Sequence, residues 1–454
     1  MSTRPDPVTL RGERDAAVPA DPGVHPLVVR TVEITDPGPL LSLLPDLVPD
    51  LLPDLGPAGE APGLAAWVRR GEGLVGWGQA ASFTASGPDR FAAADAWWTA
   101  LCSRAVVRDE VGLGGSGPVM FGSFPFAAGS AEPGRVVVPE VVIGHRGARW
   151  WVTTASLGAG VPSIGAVPGP IVAAPPRSPV GVTFADGALS PTEWEGAVGE
   201  AVVRITSGAL DKVVLARDLQ ALATEALDPR WLLTRLAERY STTWVFTVAG
   251  LLGATPEMLV RRDKGLVTSR VLAGTIRRTG DDAKDLALAG SLARSSKDLE
   301  EHEYAVRSVA DALAPHCSSI NVPESPFVLH LANVMHLATD VAGVAAGSAS
   351  ALELAAALHP SAAVCGTPTE VAAGLIHELE HMDRGRYSGP VGWMDASGDG
   401  EFGIALRCGQ IDGRDPRAIR LYAGCGIVAG SDPEAELAES DVKLVPMRDA
   451  LTSA

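Results

Sequence analysis

Aromatic side chains make up only 5% of the 454 residues, and cysteine occurs five times with no Cys-x-x-Cys pair. The thiols, at 102, 317, 365, 408 and 425, are odd in number and scattered. That excludes a zinc-ribbon framework and a disulfide-stapled scaffold, and it suits reduced thiols. Cations are in deficit: 37 Lys and Arg face 54 Asp and Glu, a formal net charge of −17. A nucleic-acid partner needs a basic footprint, so none is expected. An anionic substrate must then be caught by local cations rather than by the overall field. No uncharged apolar run reaches the length of about 18 residues that a membrane helix needs, so no membrane partner is expected. The opening "MSTRPDPVTLRGERDAAVPADPG" lacks the apolar core of a signal peptide. The expectation is a cytoplasmic globular protein with enough chain to bury a large core.

Glycine and proline punctuate the chain. Residues 1–25 are rich in Pro, Asp and Arg and read as disordered. Prolines at 45, 49, 53 and 57 forbid a regular helix and suggest a turn-rich surface segment. "AVPGPIVAAPPRSPVG" divides an N-terminal half, 26–180, from a C-terminal region, 181–454. The first half reads as strands ("LVGWGQAASF", "VMFGSFPF") around one helix in "DRFAAADAWWTALCSRAV". In the second, "KVVLARDLQAL", "FVLHLANVMHLATDVAGVA", "GEFGIALRCGQI" and "AIRLYAGCGI" read as extended. Helical spacing marks "SPTEWEGAVGEAVVRITSG", "DPRWLLTRLAERY", about 281–294, about 297–314, "SALELAAAL" and the chain from about 432. The class is α/β in the mixed α+β sense, rich in hairpins, and a regular Rossmann alternation is excluded.

Charge clusters at two places. "SSKDLEEHEYAV", 295–306, holds four carboxylates on a helix. At about 100° per residue, Asp298 and Glu301 share one face while Glu300 and Glu303 point roughly the other way. "SDPEAELAESDVKLV", 431–445, repeats the spacing with Glu436 and Glu439, and Lys443 one turn on. Each set also reads as a solvated face carrying Lys297–Glu301 and Glu439–Lys443 pairs. Facing each other, the four acids would suit a hard divalent cation such as Mg²⁺. A rival is "HELEH", where His377 and His381 would ligate zinc with Glu378 as base, as in a metalloprotease. The glycine-rich hairpin that follows offers no third ligand. "DASGDGE" reads as a hairpin turn, since Leu406 stands where a calcium loop needs Glu.

Nine stretches in order, "DKVVLAR", "GATPE", "LAGTIRR", "SKDLEEHEYAV", "VMHLATDVAG", "LHPSAAVCGTP", "RGRYSGPVGW", "GEFGIALRCG" and "LYAGCGIVAGSDPEAELAESDVK", resemble the chorismate-utilising enzymes. That family contains isochorismate, salicylate, anthranilate and aminodeoxychorismate synthases; the isochorismate synthases are the most similar group. The match is firm from about 190 to 450, and "GWGQAASF" and "FGSFPF" extend it into the first half. The resemblance implies one large unit of antiparallel sheets sandwiched and flanked by helices, and a Mg²⁺-dependent site with chorismate as substrate. It pairs Glu301 with Glu439 as metal ligands, supported by Asp298 and Glu436. Lys212 matches the general base that activates water, and Glu257 the acid that protonates the departing hydroxyl. Arg407, Tyr387 and Lys443 match carboxylate-binding positions. Gly274, Thr275, Gly424 and His336 match other substrate contacts. Ser361 and Ala362 depart from the usual Thr and Pro, and His377 and His381 lie outside the pattern.

Ammonia users usually carry Gln or another non-basic residue where this chain has Lys212. Lysine therefore implies water as nucleophile and no glutaminase subunit. Salicylate synthases tend to carry threonine at the place of Ala363, so alanine implies that reaction stops at isochorismate, a precursor for menaquinone or siderophore synthesis. Salicylate and anthranilate-type synthases are the alternatives within the family.

Overall fold

The computed structural model describes residues 25–46, 63–158, 174–330 and 334–453, with the side chains of Thr275, Lys297 and Glu301 excepted. The expectations for residues 1–24, for most of the proline-every-fourth stretch and for the Gly/Pro-rich passage up to 173 fall outside them.

Two antiparallel-rich sheets pack face to face, one of thirteen described strands and one of ten. The larger sheet joins distant parts of the chain. Ala65–Arg69 pairs with Trp244–Val248, and Lys212–Leu222 pairs along ten residues with Ala418–Ile427. The smaller does the same where Pro390–Asp395 pairs with Val119–Ser123. Between the sheets lies an aromatic layer of Trp67, Phe121, Trp151, Phe246 and Trp393. Each of these rings buries a large apolar area. Helices Pro229–Arg239 and Pro433–Thr452 cover the outer face of the larger sheet through Leu232, Leu233, Leu236, Leu444, Met447 and Leu451.

Helix starts follow their caps. Ser190 closes a capping box with Glu193, Ser295 accepts from the Asp298 N–H, and Asp432 caps the terminal helix ahead of Pro433. Helix Ser296–Leu313 buries His302, Val306, Val309 and Leu313 and leaves Glu300 and Glu303 in solvent, Glu303 paired with Arg307.

Two extended runs break where the sequence suggested continuity. "FVLHLANVMHLATDVAGVA" folds back on itself, so that Leu329 faces His336 across strands Phe327–His330 and Val334–Ala345. "GEFGIALRCGQI" splits into Gly400–Ile404 in the smaller sheet and Cys408–Ile411 in the larger. The crossing falls at Leu406–Arg407, with Arg407 at φ +49°. Apolar residues continue through both breaks, so alternation alone carries no mark of the bend.

Helix Thr369–Leu379 ends at Glu380, which is 2% exposed and bound to Arg384 at 3%. The guanidinium donates to Glu380 Oε2 at 2.9 Å, the Val364 carbonyl at 2.8 Å, the Val214 carbonyl at 2.7 Å and Ser388 Oγ at 3.2 Å. Glu380 in turn accepts from the Ala216 N–H at 2.7 Å. Arg384→Met should therefore strand a buried carboxylate and cost about 3–5 kcal/mol in urea unfolding. A loss below about 1 kcal/mol would mean that the segments hold together without the pair.

Candidate active site

Where the two sheets approach, several polar side chains converge. Lys212 opens its strand opposite Thr367 and runs beside Gly426, where an added Cβ would stand 3.0 Å from Lys212 Cε. Glycine here leaves the lysine stem its path. Glu257 sits between Leu251–Thr255 of the larger sheet and Met258–Asp263 of the smaller. Its N–H donates to Thr255 Oγ1 at 3.2 Å, and its carbonyl accepts from the Ile404 N–H at 3.1 Å. Burial pushes the Glu257 carboxyl up to about 7, against the downward pull of Lys212, Arg407 and Lys443. A carboxylic acid at that value changes protonation near neutral pH.

Gly274 lies at a bulge between Ala273 and Thr275, with φ +76°, and forms a backbone hydrogen bond with His336. Burial, then Arg407 and Lys443, bring His336 down to about 4, so its ring is neutral at pH 7. A Cβ on Gly274 would come within 3.4 Å of Asp298 Oδ1. The half-buried Asp298 thus reaches the same neighbourhood from the Ser296–Leu313 helix. The expected inward direction of Glu301, and the contact of the Thr275 hydroxyl, fall on side chains outside those described.

Arg407, at the crossing between sheets, has its proton affinity lowered by burial, with Tyr387 and Glu439 opposing. Its carbonyl accepts from the Ala254 N–H at 3.1 Å, while its guanidinium makes no hydrogen bond or ion pair among the described residues. Tyr387 stacks on Tyr422 at 4.9 Å, and a Cβ on Gly424 would lie 3.1 Å from its hydroxyl. Burial pushes that hydroxyl well above the usual phenol range, so it is a donor at neutral pH. Lys443 binds Glu439 Oε1 at 2.7 Å and the Gly424 carbonyl at 2.8 Å. Burial pushes Glu439 up, but Lys443, Arg407 and His336 together hold it below the usual carboxylate range. Glu436 accepts from Ser431 Oγ at 2.7 Å and is raised by burial and by Glu439. Donor atoms of Cys425, Glu436 and Glu439 lie within 4.8 Å of one another. Burial pushes the Cys425 thiol up to about 12. Ala363 lies half-buried in the loop whose Val364 carbonyl Arg384 holds.

The zinc reading of "HELEH" does not survive the geometry. His377 is exposed in the last helical turn, while His381 lies beyond the helix end at φ +51° and is also exposed. Glu378 meets Arg204 at the surface. Among the described residues the one group able to converge on a metal is the Cys425 cluster. Sequence reasoning passed over Cys425, Thr255 and Gly426. Their signals were present only as a strand with glycine on either side of Cys425, and as a hydroxyl two residues before Glu257.

A family sequence model described as "Chorismate binding enzyme" matches residues 66–166 and 171–452. The chain belongs to the chorismate-binding enzymes. It is 40% identical over 273 residues to isochorismate synthase DhbC of Bacillus subtilis (strain 168), which spans 58% of this chain and 68% of that relative. It is 36% identical over 351 residues to the putative isochorismate synthase MenF of Mycobacterium tuberculosis, 74% of this chain and 87% of the other. A crystal structure of putative 2,3-dihydroxybenzoate-specific isochorismate synthase DhbC from Bacillus anthracis superimposes with a TM-score of 0.70 at 30% identity, covering 89% of this chain and 99% of that one. The menaquinone-specific MenF of Escherichia coli shares the fold at a TM-score of 0.76 and 22% identity, over 94% and 95% of the two chains. These similarities make this chorismate-binding chain an enzyme of the isochorismate synthase type, an isomerase. No described helix is long and apolar enough to cross a membrane.

The position of Glu257 sets a pH dependence. Its carboxyl titrates at about 7 in the fold against 4.5 for the ordinary group. Its contribution to stability is therefore full below the ordinary value and is lost as pH rises through the folded one. Between those values the wild type should lose about 3 kcal/mol relative to Glu257→Gln in denaturant titrations. A difference that stays flat with pH would show an ordinary, solvated carboxyl.

Proposed function

We propose that this site converts chorismate to isochorismate, with Lys212 as general base and Glu257 as general acid. The observation that carries the reading is the buried Glu257 carboxyl, poised at about 7 within the field of Lys212. Lys212 takes a proton from water. The oxygen bonds to C2 and the ring double bonds shift. The C4–O bond then breaks as Glu257 gives its proton to the departing oxygen, which leaves as water. One water is consumed and one released, so the net change is a move of the hydroxyl.

Chorismate carries two carboxylates. Arg407, Lys443 and the Tyr387 hydroxyl supply donors for them, and the bare backbone at Gly274 and Gly424 allows close approach. Neutral His336 offers a hydrogen bond without adding charge. The Thr275 hydroxyl is assigned to the substrate by resemblance, and the small Ala363 leaves the enolpyruvyl group extended. Both halves, 26–180 and 181–454, contribute strands to each sheet and are taken as one working unit.

The metal reading fits the donor chemistry. With the Cys425 thiol protonated, the cluster offers carboxylate oxygens, which suit Mg²⁺ with its retained waters. Glu439 and Glu436 would hold it, with Glu301 and Asp298 from the Ser296–Leu313 helix completing the set. When bound, Mg²⁺ supplies positive charge for the ring carboxylate of the substrate.

Purified protein incubated with chorismate and Mg²⁺, with products separated by chromatography, should give isochorismate alone. Salicylate or anthranilate would select another branch of the family. Lys212→Ala and Glu257→Ala should each lower kcat by about 10²–10⁴-fold, and each should remove one limb of the bell-shaped pH profile. An intact profile in Lys212→Ala would place the base elsewhere.

EDTA should abolish turnover and added Mg²⁺ restore it. Glu439→Ala should mimic chelation, whereas Glu300→Ala, on the exposed face, should stay near wild-type activity. Equal losses at 300 and 439 would refute the metal assignment.

A further inference from the structure

Lys443 is placed where two ligands compete for it. Its ammonium holds Glu439 Oε1 at 2.7 Å and the Gly424 carbonyl at 2.8 Å, with the Cys425 sulfur at 3.9 Å. It therefore touches two of the three side chains whose donor atoms gather for a cation. A divalent ion on Glu439 would stand beside this ammonium at a separation where like charges repel strongly. Yet Lys443 also faces the reacting groups: both Glu257 and His336 feel its charge. Four rotatable carbons let its head move while the helix stays fixed. Arg407 has no comparable alternative, because no described residue pairs with its guanidinium.

We propose that Lys443 is an exchangeable counter-ion: it neutralises Glu439 until the divalent cation arrives, and is then displaced onto a carboxylate of the incoming chorismate. This rests on the metal reading given above. Metal and substrate then favour one another by more than their direct contact, since the cation frees the lysine that the substrate needs, and the substrate gives the displaced charge a partner. Linkage makes the effect reciprocal. Without the ammonium, Glu436 and Glu439 would face each other with less compensation, and their affinity for a dication would rise.

The test uses the whole protein and Mn²⁺ as probe, with the free-ion EPR signal read in the absence of chorismate. Lys443→Met should bind Mn²⁺ about tenfold more tightly than wild type, while Lys443→Arg, which keeps the charge, should stay close to wild type. Adding the equilibrium mixture of chorismate and isochorismate should tighten Mn²⁺ binding in the wild type and do so less in Lys443→Met. Circular dichroism checks folding, and Lys443→Gln replaces the methionine variant if that one unfolds. Equal Mn²⁺ affinity in wild type and the neutral variants, with Glu439→Gln weakening it, overturns the exchange and leaves the metal site standing. Mn²⁺ binding that is insensitive to Glu439→Gln overturns the metal reading and the exchange with it.

Discussion

The pairing of Glu380 with Arg384 fixes more of this molecule than its two residues suggest. Both side chains are almost wholly removed from water, and neither charge is tolerable there alone. Their hydrogen bonds reach the strand backbone at 214 and 216, the loop carbonyl at 364 and the hydroxyl at 388. Lys212 starts that strand, Ala363 lies in that loop, and Tyr387 precedes that serine. Three segments that carry candidate site residues are thereby held by one desolvated ion pair. Its strength is geometric: satisfied, it orders four segments at once; broken, it leaves a buried charge with no escape to solvent.

Around this frame the chain gathers its scarce cations. On a molecule of net charge −17, Lys212, Arg407 and Lys443 all act on one glutamate. They oppose the burial that lifts Glu257, and the balance leaves it near neutrality instead of permanently protonated. The last two of these charges, with burial, keep His336 uncharged. Three cations thus gather at one place on an acidic chain, where the overall field would not draw in an anion.

Much of this was legible in the sequence. Helices bounded by Ser190, Ser295 and Asp432 could be placed because capping residues and apolar spacing agree there. The exposed fate of Glu300 and Glu303 followed from rotation about a helix axis alone. The break at Arg407 was hidden, since a strand that leaves one sheet for another stays apolar on both sides. "HELEH", set aside in the sequence for want of a third ligand, also fails on geometry: the motif assumes a helix through both histidines, but this helix ends before His381 and Glu380 turns inward. Two acid pairs at i,i+3 could be seen, yet what each faces depends on strand pairing that local pattern does not encode. The order of nine motifs pointed to the family, which the matching family model shows; the roles it implies for the acid pairs belong to the proposal.

The sheets also bear on how the chain acquires its structure. Ala65–Arg69 finds its neighbour at Trp244–Val248, and Val119–Ser123 waits for Pro390–Asp395. Such pairings close long loops before any contact compensates the lost chain entropy, which places the protein among slow folders. During synthesis the early strands emerge with open edges, and their partners follow well over a hundred residues later. At about 5–20 residues per second, those edges remain bare for many seconds. The molecule is thus most open to aggregation while its first half waits on the ribosome for the second, a vulnerability set by strand order alone.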